Sequence, residues 1–264
     1  MKIGVAATAP LGADVLERLS DKHDVSFLIT RPDRPQGRGR RVGAPPAKEV
    51  AERLGIEVRQ PEKLDESTDV AGVEAVVVAA YGALIPEVLL ERTLWLNVHP
   101  SSLPRWRGAA PIERAIMAGD EESGVSVIRL VEELDAGPIG AWHDLWIGGD
   151  TTAGDVYAEV ARLAPDLIEE ALAADSFSPQ QGEPTYAEKI GPADRELDWT
   201  RPPKELHDRI RALSPHIGAR GEAQGRKVTV WRSRLDGDRL ELLEVQPEGG
   251  TRMSYDAWLR GLRS

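Results

Sequence analysis

The chain has 264 residues, of which 41% are hydrophobic and 29% are charged, and its formal net charge is −11. The length predicts one large domain and a modest second one, and the composition is that of a globular protein. The absence of cysteine excludes disulfides, thiolate metal ligands and a cysteine nucleophile. Since no apolar run approaches the roughly 20 residues of a membrane-spanning helix and the N-terminal residues lack a secretory signal pattern, we expect a cytoplasmic protein.

The first half of the chain alternates β-rich runs with helical patterns, which predicts a parallel sheet covered by helices. Strands over residues 125–130 and 141–147 extend this sheet, and a long helix over residues 151–174 closes the domain. We therefore predict an α/β fold with a Rossmann-like, open and mainly parallel sheet. The earlier strands are predicted at Lys2–Ala7, Asp24–Ile29, Glu74–Ala80 and Leu94–Val98, and the earlier helices at Leu11–Leu19 and Pro46–Leu54.

A second, smaller domain is predicted after residues 175–184, a segment rich in Pro, Gly and Ser. An amphipathic helix over residues 203–213 precedes short strands over residues 227–231 and 239–245. The predicted organisation is a catalytic domain over residues 1–175, a linker over residues 176–189 and a small β-rich domain over residues 190–264.

Two polar residues stand at the end of a predicted strand. Asn97 and His99 are two positions apart, so their side chains point to the same face of the sheet. Ligands of an open parallel sheet bind outside the carboxyl ends of its strands, which is where this pair falls. The same spacing also fits two polar residues that only satisfy a strand end.

Asp135 lies in a turn, Leu134 to Pro138, and could simply bind its own backbone there. Together with Asn97 and His99, however, it makes a set suited to acyl transfer. An amide and an imidazolium can stabilise a developing oxyanion, while a carboxylate orients the imidazole or accepts a proton from an attacking amine.

Competing chemistries lack their motifs. The first loop, residues 6–12, has no G-x-G-x-x-G for a dinucleotide, and the sequence has no phosphate loop and no G-x-S-x-G nucleophile elbow. The five histidines show no metal-ligand spacing, so we expect no metal.

The sequences NVH at 97–99, SLPRWRGAAPI at 102–112 and LDAGP at 134–138 resemble the signatures of the methionyl-tRNA formyltransferase family. More broadly, they resemble the 10-formyltetrahydrofolate-dependent formyltransferases. The resemblance runs nearly end to end. Residues 185–190 and 197–199 resemble the family's crossing into its small C-terminal β-barrel, an OB-like domain.

This resemblance implies formyl transfer from 10-formyltetrahydrofolate to the α-amino group of methionine on initiator tRNA, by a protein that we expect to be a monomer. It implies that Asn97, His99 and Asp135 are the catalytic residues. The implied folate-binding residues are Ser101, Ser102, Leu103 and Pro104, with Tyr81 and Gly82 as another wall of the pocket.

The basic segment at residues 31–41 resembles the loop with which the tRNA enzyme enters the acceptor stem. Residues 31–48 carry six basic side chains and one acidic one, and the glycines and arginines suit a mobile loop that contacts phosphates. Composition alone also fits a solvated charged loop. The implied tRNA-binding residues are Arg34, Arg38, Arg40 and Arg41.

The chain departs from the family pattern in places. Pro100 replaces a usual glycine, Ser102 replaces a leucine of the folate loop, and the region between Trp231 and Leu240 is shortened. Two alternatives therefore stay open. One is formyl transfer to a small amine, such as a nucleotide-linked amino sugar, and the other is a folate- or RNA-binding homologue that has lost catalysis.

Overall fold

The structure is a computed structural model that describes residues 1–36 and 41–263. Its elements follow in chain order. They are β1 (Lys2–Ala7), α1 (Pro10–Ser20), β2 (Asp24–Ile29), β3 (Arg34–Gln36), β4 (Arg41–Gly43), α2 (Pro46–Leu54), β5 (Glu57–Arg59), β6 (Ala75–Ala79), α3 (Glu87–Leu90), β7 (Leu94–His99), β8 (Arg107–Gly108), α4 (Pro111–Met117), β9 (Glu122–Arg129), β10 (Ile139–Trp146), α5 (Ala153–Ala173), β11 (Tyr186–Ala187), α6 (Pro203–Ala212), β12 (Ala219–Ala223), β13 (Arg226–Asp236), β14 (Arg239–Pro247), β15 (Met253–Ser254) and α7 (Tyr255–Arg263).

The chain is divided into two compact units. The first contains residues 1–107, 124–144 and 158–185, and the second contains residues 108–123, 145–157 and 186–264. Within the part that the structure describes, no helix is long and apolar enough to span a membrane.

The main sheet has seven strands in the order β10-β9-β7-β6-β1-β2-β5. The pairs β1/β2, β1/β6, β2/β5 and β6/β7 are parallel, whereas β9 runs antiparallel to β7. All five residues of β6 are buried, as expected for a central strand covered on both faces. The prediction of an open, mainly parallel sheet is therefore confirmed.

Helix α1 lies very close to the sheet because residue 12 is a glycine. A Cβ added at Gly12 would lie 2.3 Å from the backbone oxygen of Ala79 and 2.8 Å from the Cβ of Ala7. Helix α2 begins at a proline and ends before Gly55, which takes the left-handed conformation at φ +71°. These two helices lie where the sequence predicts them.

The second unit is built on an antiparallel sheet in the order β12-β13-β14-β15. Strands β12 and β13 are joined by Gln224 and Gly225, both at positive φ, as a tight two-residue hairpin requires. Helix α6 contributes Leu206 and Ile210 to the core of this unit. The prediction of a small β-rich C-terminal domain is confirmed.

The predicted linker is well anchored over its first half. Ser178 exchanges two backbone hydrogen bonds with Ile139, at 2.7 and 2.9 Å, and so belongs to the first unit. Phe177 covers Gly140, where an added Cβ would lie 2.4 Å from the Phe177 ring. The guanidinium of Arg129 stacks over the same ring at 4.8 Å. The domain boundaries themselves stay a prediction.

Candidate active site

The candidate site is centred on the carboxyl end of β7. Asn97 lies between Val78 of β6 and Ile128 of β9, and His99 lies opposite Ser126. Because side chains alternate along a strand, Asn97 and His99 point to one face, as expected from their spacing. His99 is only 3% exposed, and Asn97 is half-buried.

Asp135 reaches the same place from the loop between β9 and β10. Its Oδ1 accepts a hydrogen bond from Asn97 Nδ2 at 3.3 Å, and its Oδ2 lies 3.6 Å from His99 Nδ1. Asp135 is 7% exposed, and it has φ +50°, which an L residue adopts only at a cost. The structure thus brings the three predicted catalytic residues together, although they are up to 38 positions apart in sequence.

The proton on His99 is located by a backbone carbonyl. His99 Nε2 lies 2.8 Å from the oxygen of Trp106, and since a carbonyl oxygen can only accept, Nε2 must donate. Nδ1 is then the nitrogen that gains or loses a proton, and it is the nitrogen that faces Asp135. A proton at Nδ1 makes an imidazolium beside a carboxylate.

The predicted folate loop, residues 101–104, is fixed to the sheet by serines. Ser101 is fully buried and its Oγ donates to the oxygen of Arg105 at 2.7 Å. Ser126 Oγ donates to the oxygen of Ser101 at 2.8 Å and accepts from the nitrogen of Leu103 at 3.4 Å. Ser102 is half-buried and lies close to Gly124, where a Cβ would approach its Oγ to 2.5 Å. Pro104 ends this rigid loop.

Tyr81 and Gly82 follow β6, the strand next to β7, so they lie at the same edge of the sheet. Tyr81 is buried in the core beside Phe27 and Trp95. Burial raises the pKa of the Tyr81 phenol, while the nearby charge of Arg31 opposes that rise. Gly82 has φ +76°, which favours glycine at this position.

Within the basic segment, β3 pairs antiparallel with β4. Next to β3, Asp33 accepts hydrogen bonds from Lys48 at 2.8 Å and from Gln60 at 2.7 Å. These contacts hold the pKa of the Asp33 carboxyl below its usual value, the Lys48 bond being the larger cause. Of the predicted tRNA-binding residues, Arg34 is exposed on β3, Arg41 begins β4, and Arg38 and Arg40 lie outside the described residues.

Three residues that the sequence did not single out support the site. The carbonyl of Trp106 binds His99, while Arg107 and Gln180 contact each other and the loop that carries Asp135. Trp106 and Arg107 belong to the RWRG run, but nothing in that run marks a buried arginine. Gln180 lies in a segment whose composition predicts a linker.

The fold and this site are those expected of an α/β enzyme that transfers an acyl group. Residues 1–172 match the formyl transferase family, and residues 189–239 match the C-terminal domain of formyl transferases. The chain belongs to the formyltransferase family, and within it to the methionyl-tRNA formyltransferase group, as the following relatives show.

Curated relatives span nearly the whole chain. A methionyl-tRNA formyltransferase of Mesorhizobium japonicum is 41% identical over 284 residues, covering 91% of this chain and 90% of the relative. One of Heliobacterium modesticaldum is 34% identical over 308 residues, covering 100% of this chain and 98% of the relative.

Solved structures of low identity share the fold. A methionyl-tRNA formyltransferase from Clostridium thermocellum has a TM-score of 0.66 at 17% identity, with 94% of this chain and 98% of that chain covered. The sugar 3N-formyl transferase WlaRD has a TM-score of 0.67 at 18% identity, with 90% and 87% covered. HypX from Aquifex aeolicus, solved with tetrahydrofolic acid, has a TM-score of 0.67 at 17% identity, and this chain, 98% of which is covered, spans 46% of its length.

Proposed function

We propose that this protein transfers the formyl group of 10-formyltetrahydrofolate to the α-amino group of methionyl initiator tRNA, as a step of translation initiation. The observation that carries the proposal is the contact of Asn97 and His99 with Asp135 at the carboxyl end of β7. Relatives that are 34% and 41% identical over nearly the whole chain bear the name of this activity, which supports the choice of acceptor.

The residues at the site fit a folate formyl donor. The donor supplies an activated formyl carbon, and the chemistry that this carbon requires is stabilisation of negative charge on its oxygen and protonation of the leaving nitrogen. Asn97 offers amide hydrogens, of which Asp135 uses one. The rigid loop at 101–104 and the buried Tyr81 lie at the same edge of the sheet and would form the pocket walls.

Each of the three side chains has a separate task. Asn97 donates to the oxygen on which negative charge develops. His99, protonated at Nδ1, adds positive charge there and is kept in one orientation by the carbonyl of Trp106. It gives a proton to the leaving nitrogen, and the proton that Asp135 takes from the amine then restores its protonated form. Asp135 faces His99 Nδ1 and takes the proton that the attacking amine must lose.

The basic segment that contains β3 and β4 is the proposed tRNA contact. Residues 31–48 carry six basic side chains on an otherwise acidic chain. Phosphates attract such a segment, and binding releases the counterions condensed on them, so the affinity falls as the salt concentration rises. The proposed contacts are Arg34, Arg38, Arg40 and Arg41.

The deciding experiment compares acceptors. The purified protein is incubated with 10-formyltetrahydrofolate and, in turn, methionyl initiator tRNA, methionyl elongator tRNA and nucleotide-linked amino sugars, while tetrahydrofolate release is followed. Product with initiator tRNA alone supports the proposal. Product with an amino sugar alone would reassign the acceptor, and folate binding without product would indicate a homologue that has lost catalysis.

A further inference from the structure

The left-handed backbone conformation of Asp135 depends on contacts that stabilise it. At φ +50° this residue adopts a backbone conformation that is unfavourable for an L residue, so the conformation depends on contacts that fix the turn. One contact is local, the hydrogen bond from the nitrogen of Ala136 to the oxygen of Glu133 at 3.2 Å. A second comes from outside the turn, from Gln180, which is 45 positions away in sequence.

The amide of Gln180 binds the turn with both of its hydrogens. Gln180 Nε2 donates to the backbone oxygen of Asp135 at 2.7 Å and to that of Gly137 at 2.9 Å. One side chain therefore binds the carbonyl of the proposed proton acceptor and the carbonyl two residues later. The contact fixes the backbone on both sides of the peptide that joins Ala136 to Gly137.

Arg107 fixes the orientation of that amide. Its Nε and Nη2 donate to Gln180 Oε1 at 3.1 and 2.8 Å, and its Nη1 donates to Glu133 at 2.9 Å. An arginine can only donate and a carbonyl can only accept, so a flipped amide would lose all four bonds. Arg107 is 8% exposed, and these bonds satisfy a charge that burial would otherwise penalise.

Two successive residues, Trp106 and Arg107, thus support different catalytic residues of the proposed site. The carbonyl of Trp106 orients His99, and the side chain of Arg107 acts on Asp135 through Gln180. The segment that carries Gln180 is itself anchored, since Ser178 is paired with Ile139 at the start of β10. The chain makes both contacts within its first compact unit.

We infer that Gln180, oriented by Arg107, is a positioning residue that holds Asp135 in the left-handed turn from which its carboxylate meets Asn97 and His99. This inference rests on the proposed catalytic role of Asp135. It assigns a function in formyl transfer to a residue outside both of the matched family regions, 1–172 and 189–239.

The sequence provides a direct probe of this geometry, because Asn97 is its only asparagine. Selective 15N labelling of asparagine labels one side-chain amide nitrogen, whose NMR signal reports the bond between Asn97 and Asp135. We expect Gln180→Ala to move this signal toward its position in Asp135→Ala, and the control Gln181→Ala, at an exposed neighbour, to leave it in place. An unmoved signal in Gln180→Ala would overturn the inference whether or not the protein proves active.

Steady-state kinetics tests the same point through the reaction. A misplacement of about 1 Å costs up to about 100-fold in rate, so we expect Gln180→Ala to lower kcat by about 10- to 100-fold with both KM values within about twofold. Gln180→Glu, which keeps the size of the side chain but places a carboxylate oxygen against two carbonyls, should give a similar loss. Raised KM with unchanged kcat would make Gln180 a substrate contact and overturn the inference.

A double variant separates positioning from general stability. In an Asp135→Asn background, Gln180→Ala should cause no further loss of kcat, because the group that it positions is already disabled. Additive losses would overturn the inference. An inactive wild-type protein would instead refute the proposed function, and the NMR comparison would still stand.

Discussion

The phenol of Tyr157 lies 3.0 Å from both carboxylate oxygens of Glu113, to which it donates its single hydrogen. Glu113 is 7% exposed, and burial raises the pKa of its carboxyl above the ordinary value of 4.5, although the Tyr157 bond and Arg114 oppose the rise. Burial also raises the pKa of Tyr157, so the phenol stays neutral and remains a donor. The second unit therefore contains a carboxyl group that burial favours in its neutral form.

Glu113→Gln should stabilise the protein at alkaline pH. A carboxyl whose pKa is raised on folding contributes stability below its unfolded pKa and loses that contribution as pH rises through its folded pKa. Glutamine does not titrate, so the variant should unfold at a higher temperature than the wild type at pH 8, and the difference should shrink toward pH 4.5. Thermal unfolding over this pH range is the measurement. Glu205→Gln, at an exposed position, is the control and should show no such trend.

Asp135→Asn should abolish most of the activity while preserving the fold. The amide keeps the size of the side chain but removes the negative charge that faces His99 Nδ1 at 3.6 Å and the proton acceptor for the amine. General base catalysis contributes about 10²- to 10⁴-fold, which is the loss of kcat that we expect in single-turnover formyl transfer. A variant with wild-type kcat would exclude Asp135 from the chemistry.

Asn97→Ala removes an amide that we place at the developing oxyanion. Loss of one such donor costs about 10²- to 10³-fold in kcat, with little change in KM because the contact strengthens only in the transition state. Rapid-quench measurement of formyl-methionyl-tRNA tests this expectation. A change confined to the KM of the folate would show instead that Asn97 only binds the donor.

Replacement of Arg38, Arg40 and Arg41 by Ala should raise the KM for tRNA and leave folate binding intact. Each phosphate contact contributes about 1 to the slope of log affinity against log salt concentration. The slope of the triple variant should therefore be less steep than that of the wild type by about 3. Filter binding between 50 and 200 mM salt gives the slope. The control replaces the exposed Arg53, Arg162 and Arg201, and a variant of the loop that behaves like this control would contradict the RNA role.

Gly137→Ala should distort the turn that carries Asp135. A Cβ at this position would lie 1.7 Å from the backbone oxygen of Arg129, which neither backbone can accommodate without moving. We expect kcat to fall by about 100-fold, the cost of a shift of about 1 Å. Gly149→Ala, at a glycine with open space around it, is the matched control. Equal activity of the two variants would contradict the proposed rigidity of the turn.

The strands and helices of the first unit are predictable because their patterns are local. Strand β1 and helix α2 match their predicted bounds, since one is a continuous apolar run and the other lies between a proline and a glycine. Strands β13 and β14 are longer than predicted. Their extra length carries polar residues, such as Arg234 paired with Glu241, and cross-strand pairing of this kind leaves no apolar alternation to detect.

The candidate site divides in the same way. Alternation along β7 predicts that Asn97 and His99 share a face, and the structure places them so. The positions of Asp135 and Gln180 depend on contacts between segments far apart in sequence, which no local pattern encodes. The contact of the Trp106 carbonyl with His99 is not predictable for another reason: every residue has a backbone oxygen, so no residue type marks this one.

The contacts made by the first half of the predicted linker limit where the catalytic domain can be joined to the C-terminal domain of a relative. Residues 173–188 lie between the two matched family regions, so a chimaera would naturally be joined there. A junction at residue 172 would import a foreign residue at position 180 and leave the carbonyls of Asp135 and Gly137 without their glutamine. A junction after Thr185 keeps the whole first unit native. Exchange of C-terminal domains to alter acceptor choice should therefore succeed only when this short segment is inherited with the catalytic half.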